Sequence, residues 1–422
     1  MDTLLVNAQA TTARRQLVLG EFIPLMALLT ALDAMSIDAM LPALSHIARD
    51  LSVTNTAAQY MVGTMFVGMT IGQLIGGPLS DNIGRKPAIY WGLALYIIGC
   101  VLAIFATAFP VLLAARVLQG FGASIPVVVS TAMVRDLYQG APMARIMSFI
   151  GAVFILVPVL APLAGQGMLL VAHWRWIFVM FVLLSIPATV WFYVRQPETL
   201  PLAARAPFSI AQLAATVLEV CRNRVAMGYS VAAGILFGAF LGYLSSAQQI
   251  FQETFQVGNA FVLFFSALSA TIGLALFSNG KLVMRFGMHR LTRLGYGGIA
   301  VLALLFLPVA LAFGGRPPVW LFMAYLAPTF FCVGLLFGNL NALAMEPLGH
   351  IAGVGASVSG ALTWFVGLPL GMLIGQAFDG TIVPLVAGFA VLAPVALAVM
   401  WWAEQARRTE IAVPLGESVR HR

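Results

Sequence analysis

The chain has 422 residues, of which 61% are hydrophobic and 9% charged, and its mean hydropathy is +0.97. A soluble domain carries roughly 25% charged residues because its surface needs polar cover, so this composition excludes a water-soluble fold. The net charge of +7 would suggest nucleic acid in a soluble protein, but here the basic residues form no patch, and none is expected as a partner.

In chain order, the first apolar run follows Arg14 and Arg15 and extends to about Leu44. It contains Asp33 and Asp38, which suits a retained helix better than a short cleaved signal peptide. A spanning helix needs about 20 mostly apolar residues. Runs between charged or turn-rich breaks predict spans at 19–44, 57–79, 87–107, 110–134, 146–171, 175–194, 226–250, 258–282, 292–313, 318–344, 351–376 and 381–402. The longest break, 195–225, carries Arg195, Arg205, Arg222 and Arg224. The expected organisation is therefore all-α and integral to the membrane. Six helices fill 19–194, a cytoplasmic linker 195–225, six more helices 226–403, and a cytoplasmic tail 404–422. Cys100, Cys221 and Cys332 lie far apart, with neither metal-ligand spacing nor a disulfide framework.

Cytoplasmic loops carry an excess of Lys and Arg. With the N-terminus inside, eighteen of the 22 basic residues fall on the cytoplasmic side, among them Arg85, Lys86, Arg135, Arg145, Lys281 and Arg285. Arg49, Arg175 and Arg316 fall outside, and Arg116 lies within a span. An odd number of spans in either half would destroy this sorting, so both termini are expected in the cytoplasm.

The break after the second span reads Gly77-Pro78-Leu79-Ser80-Asp81-Asn82-Ile83-Gly84-Arg85-Lys86. The break after the eighth reads Gly280-Lys281-Leu282-Val283-Met284-Arg285-Phe286-Gly287, in register at an offset of 203 residues. Repeated six-span halves are a transporter signature, with the substrate at their interface. The first copy resembles the loop motif of the major facilitator superfamily, G-x-L-x-D-R-x-G-R-K, with Asn82 in place of the usual basic residue. Gly77, Asp81, Gly84, Arg85 and Lys86 are then candidates for a conformational latch, with Asp81 placed to meet a helix N-terminus or pair with an arginine. Met284 replaces Asp81 in the second copy, so the latch is expected on one side only. A tight charged turn that merely fixes topology is the plainer alternative.

Arg116-Val117-Leu118-Gln119-Gly120-Phe121-Gly122-Ala123 resembles the superfamily's second motif, and Pro158 with Pro162 and Gly165 resembles its antiporter motif, from which Ala161 and Gln166 depart. Asp38-Ala39-Met40-Leu41-Pro42, Val134-Arg135-Asp136, Trp174-Arg175-Trp176 and Gly353-Val354-Gly355-Ala356-Ser357 are similar to pieces of the bicyclomycin-resistance-type (Bcr/CflA) drug:proton antiporters. The resemblance covers nearly the whole chain. It implies two pseudo-symmetric six-helix bundles and a bacterial inner-membrane multidrug exporter driven by the proton gradient, with no cofactor. No phosphate loop, metal cluster or nucleophile with a nearby base points to an enzyme. A proton-coupled metabolite exporter or symporter on the same fold, and a non-transporting membrane sensor, are the competing readings.

Ionisable residues inside spans are costly and usually functional. At 1.5 Å per residue, Asp38 lies roughly 24 Å and Asp33 about 16 Å from the cytoplasmic side, and Arg116 roughly 9 Å from the outer side of a ~30 Å core. Asp38 is the expected proton carrier, with Arg116 pairing at similar depth to tune it. A buried carboxylate is held neutral by desolvation and charged by a nearby cation. Asp33 is the alternative carrier. It faces differently from Asp38, because five residues rotate a helix by about 140°. A static buried ion pair between Asp38 and Arg116 is the structural alternative. Phe66, Gln73, Gln119, Tyr243, Asn339 and Trp364 are candidate contacts for a small amphipathic substrate, although helix packing explains such residues as readily. Gly68, Gly72 and Gly76 read as a close helix seam or as a sliding surface. A monomer in the lipid bilayer is expected.

Overall fold

The structure, a computed structural model, describes residues 19–417 except 139, 206 and 208. The expectations for Arg14, Arg15 and the last five residues lie outside this range. The long helices in chain order are α1 (Leu19–Asp38), α2 (Tyr60–Ile83), α3 (Arg85–Phe105), α4 (Phe109–Leu137), α5 (Gly140–Val171) and α6 (Arg175–Arg195). They are followed by α7 (Arg224–Gln249), α8 (Phe261–Phe286), α9 (Met288–Ala312), α10 (Val319–Met345), α11 (Ala352–Gln376) and α12 (Val383–Glu417). A helix satisfies its own backbone hydrogen bonds, which is why apolar runs of this length adopt it in lipid. Among the described residues, eleven stretches are long and apolar enough to cross a membrane, and α5 adds the shorter apolar stretch Leu156–Val171. An amphipathic helix, Ile210–Arg222, fills much of the connection between α6 and α7.

The first span departs from the continuous helix expected over 19–44. Pro42 has no N–H to give the carbonyl of Asp38, four residues earlier. α1 therefore stops at Asp38, a short 3-10 turn covers Leu41–Ala43, and a second short helix runs from Leu44 to Asp50. The break falls at the acidic residue, and the apolar span continues six residues beyond the expected end.

The 203-residue repeat reappears in the backbone. Gly84 joins α2 to α3 with φ 104° and ψ 158°, and Gly287 joins α8 to α9 with φ 74° and ψ 155°. This region is essentially closed to other residues. Both turns lie at one end of the helices, together with Arg85, Lys86, Lys281, Arg285, Arg290 and Arg293; it is termed here the basic end.

Helices α1–α6 pack mainly on one another, through α2–α4, α3–α4, α1–α5 and α3–α6. Helices α7–α12 do the same through α7–α11, α7–α12, α8–α10 and α9–α12. The two groups meet along α2–α11 and α5–α8. Gly68 and Gly72 bring α2 onto α4: a Cβ at Gly68 would strike the Val117 carbonyl, and one at Gly72 would strike Phe121 and Ser124. The glycine stripe is thus a packing seam inside the first half rather than a surface between halves. Gly234, Gly238 and Gly242 seat α7 on α11 in the same manner, a second stripe that the sequence reading passed over.

Candidate transport site along the seam

At the basic end, Arg85 is buried in a cage of acceptors. Its Nε donates to Asp136 Oδ2 at 2.9 Å and its Nη1 to Ser80 Oγ at 2.7 Å and to the Asp81 carboxylate. Glu198 accepts from the backbone N–H groups of Arg85 and Lys86, both at 3.0 Å, and so caps the start of α3. Lys86 Nζ donates to the Tyr193 carbonyl at 2.9 Å. These charges all lie in the first half and the start of the linker. Asp81 therefore pairs with an arginine, one of its two expected partners, but not across the seam. The contact across the seam at this level is steric: a Cβ on Gly77 would lie 2.9 Å from Ser357 Oγ of α11. In the second copy Met284 is 87% exposed. At the start of α9, His289 and Arg293 meet Tyr229 and Glu404, with Tyr229 Oη 3.0 Å from His289 Nδ1 and Arg293 Nε 3.5 Å from Glu404.

The break in α1 organises the buried charges. Met40 N–H turns to Ile37 at 3.2 Å, so the Ser36 carbonyl loses its usual helical donor. Arg116 Nη2 takes that carbonyl at 3.1 Å, its Nε takes the Met61 carbonyl at 3.2 Å, and its Nη1 takes Gln119 Oε1 at 2.6 Å. Arg116 is fully buried, and Gln119 passes the network on to Cys100 Sγ at 3.2 Å. Ser36 Oγ lies 2.7 Å from Tyr96 Oη. This corrects the expected pairing: among the described residues no ion pair joins Arg116 to Asp38. The guanidinium caps the end of α1 instead, a favourable place for a cation. It holds the backbone two residues before Asp38.

Asp33 and Asp38 are both buried and within electrostatic reach of each other. Asp33 Oδ1 has no hydrogen-bond partner. The turn that follows Asp38 packs on α7 of the second half, and the Tyr243 phenol, whose hydroxyl is also unpartnered, lies within reach of the Asp38 charge. Gly165 packs on the same turn: any Cβ there would collide with the Ala39 carbonyl. Pro162 leaves the Pro158 carbonyl without a ladder donor, and one residue on, the Val159 carbonyl accepts from Ser266 Oγ of α8 at 2.7 Å. The antiporter-like residues thus sit where α5 meets both the α1 break and the second half.

Along the seam, Phe66 of α2 stacks into Trp364 of α11 and Phe237 of α7, with ring centroids 4.8 and 5.4 Å away. Gln73 lies against Gly360 of α11, its Oε1 unpartnered. Two candidates are placed elsewhere. Gln119 is committed to Arg116 and Cys100, and Asn339 bridges α10 to Asn279 of α8 at 2.8 Å. At the opposite end an amide clasp closes the seam: Gln59 donates to Gln249, Gln376 to the Thr56 carbonyl at 3.0 Å, and Asn55 to Glu253 at 2.6 Å. The sequence did not disclose this clasp, because single amides near span ends carry no motif.

Comparison with known proteins agrees with this architecture. The family model described as Major Facilitator Superfamily matches residues 26–372. An uncharacterised MFS-type transporter, YdgK, of Bacillus subtilis is 30% identical over 83% of this chain and 87% of its own length. A bicyclomycin resistance protein homolog of Haemophilus influenzae is 28% identical over 86% of this chain and 91% of its own. The solved structure of the xylose transporter XylE from E. coli, in a partially occluded inward open conformation, superposes with a TM-score of 0.71 at 13% identity, over 91% of this chain and 97% of that one. The chain belongs to the major facilitator superfamily, as a multi-pass membrane transporter of the Bcr/CflA type.

Proposed function

We propose that this protein exports amphipathic small molecules, drugs among them, in exchange for protons by alternating access in a bacterial inner membrane. In this reading twelve spans form two six-helix bundles, 19–194 and 226–403, joined by a cytoplasmic linker, with both termini cytoplasmic and the basic end facing the cytoplasm. One observation carries the reading: two buried carboxylates, Asp33 and Asp38, lie on a helix broken at the contact between the halves. Ionisable groups inside spans commonly serve as proton relays, and in this reading the carboxylate takes up a proton when its side of the seam opens to the acidic exterior. Release to the cytoplasm returns the charged form, and a change in the surroundings of Asp38 as the halves rock couples the two fluxes. Arg116 positions Asp38 through the Ser36 carbonyl. The ring cluster of Phe66, Phe237 and Trp364 offers cargo a repackable apolar wall. The similarity to a bicyclomycin resistance protein homolog of Haemophilus influenzae supports antibiotic cargo.

Purified protein in proteoliposomes, with an imposed pH gradient and a panel of lipophilic drugs, tests the direction. Antiport drives cargo toward the side that protons leave. Accumulation on the side that protons enter would instead establish a symporter, and no gradient-driven flux of any compound would remove proton coupling.

A further inference from the structure

The linker helix Ile210–Arg222 carries a feature that no transport step uses. Its inner face is tied down: Val220 is buried with Ala226, Leu348 and Val358, and Leu74 of α2 packs on the same cluster. The adjoining stripe of Ile210, Ala214, Val217, Leu218 and Cys221 falls on one side of the helix by its spacing. Yet Ile210 is 73% and Leu218 49% exposed. With Leu74 this stripe lines an open groove of about 550 Å3, in which the Cys221 thiol is the only group that is not hydrocarbon among the described lining side chains. On α2 the exposed face continues from Leu74 through Ile71 to Val67, so the groove opens onto a strip that runs toward the middle of the span. The end of the linker helix is charged. Arg222 is its last residue and exposed, and Arg224 lies over the partly exposed Trp402 ring at 4.5 Å. Tryptophan beside arginine marks the headgroup level of a membrane. Glu219 is the single carboxylate of the linker helix.

We propose that this groove binds an anionic phospholipid of the cytoplasmic leaflet. One acyl chain occupies the groove between Leu74 and the linker helix and continues past Ile71, and the phosphate sits at Arg222 and Arg224. Hydrocarbon walls at this depth favour an acyl chain over water, and basic residues at an amphipathic helix select anionic headgroups. The proposal rests on the cytoplasmic placement of the linker. Leu74 and Val358 belong to opposite halves, and they neighbour Gly77 and Ser357. The groove is therefore complete only while the basic end is closed, and bound lipid favours that arrangement by linkage.

The test uses the full chain in nanodiscs of phosphatidylcholine, alone or mixed with phosphatidylglycerol. The rate of Cys221 alkylation by a charged maleimide is read from its own peptide by mass spectrometry. Phosphatidylglycerol should slow the reaction about fivefold, the increment expected from one basic residue near an anionic surface. Arg222→Gln should abolish this difference, and Ala214→Trp, which fills the groove, should protect Cys221 in either lipid. Equal rates in both lipids would leave ordinary boundary lipid only and overturn the proposal, as would full protection in Arg222→Gln. Protection that grows with protein concentration would assign the groove to a second copy of the chain, and also overturn it. Nanodiscs expose both faces, so this result is independent of topology. Modification of Cys221 from outside intact right-side-out vesicles would instead sink the cytoplasmic placement.

Discussion

The spacing of Asp38 and Pro42 decides the geometry of the first span. Proline withdraws one donor, the helix ends at an acid, and the Ser36 carbonyl set free is taken by Arg116. The charged residues were legible in the sequence because charges inside spans are rare. Their partners were not, since similar depth does not say which way an arginine points. Arg116→Met should leave the buried Ser36 carbonyl unpaired, at about 1–3 kcal/mol, and take a donor from the Met61 carbonyl and from Gln119. Arg116→Lys should fare little better, because one ammonium cannot reach acceptors on α1, α2 and α4 together. Thermal unfolding in detergent and transport in vesicles should both fall in the two variants. A lysine variant as stable as the parent would show that the three-way grip is dispensable. Gly165→Val adds a side chain against the Ala39 carbonyl, an overpacking of about 1–3 kcal/mol. It should impair transport more than expression, measured as drug efflux per unit of protein in the membrane. Undiminished efflux would mean that this close approach has no part in positioning the α1 break.

Helix ends were readable where glycine closed a charged break, as the matching turns at Gly84 and Gly287 illustrate, but the end that Pro42 imposes on α1 was not. Contacts between helices were less so. The stripe on α2 was visible in the spacing of its glycines, but its partner α4 was not, and the equivalent stripe on α7 escaped notice. The two turn glycines give a graded prediction. Alanine at either position meets backbone strain of roughly 1–3 kcal/mol. At Gly84 the added methyl also collides with Arg205 and Glu198, whereas at Gly287 it meets nothing within 4 Å. Gly84→Ala should therefore lower the melting temperature more than Gly287→Ala, by differential scanning fluorimetry. Equal shifts would mean that the Glu198 cap yields freely.

At the scale of the whole molecule, the repeat was legible because a fixed offset, with glycine at the same place in both copies, is a property of the chain. The seam was not, because it joins residues some 200 to 300 positions apart, such as Gln59 with Gln249 or Gly77 with Ser357. The structure closes both ends of that seam, the basic end by glycine against serine and the opposite end by amides. Transport by alternating access requires each closure to open in turn. Disulfides introduced by Gly77→Cys with Ser357→Cys, or by Gln59→Cys with Gln249→Cys, should each arrest transport and release it on reduction. Flux through a fully crosslinked protein would show that the corresponding closure never needs to part. The central claim, that proton coupling runs through Asp38, is tested most directly by Asp38→Asn in proteoliposomes, comparing gradient-driven accumulation with downhill exchange of the same drug. The account predicts that accumulation is lost while exchange persists; accumulation at the wild-type level would contradict it.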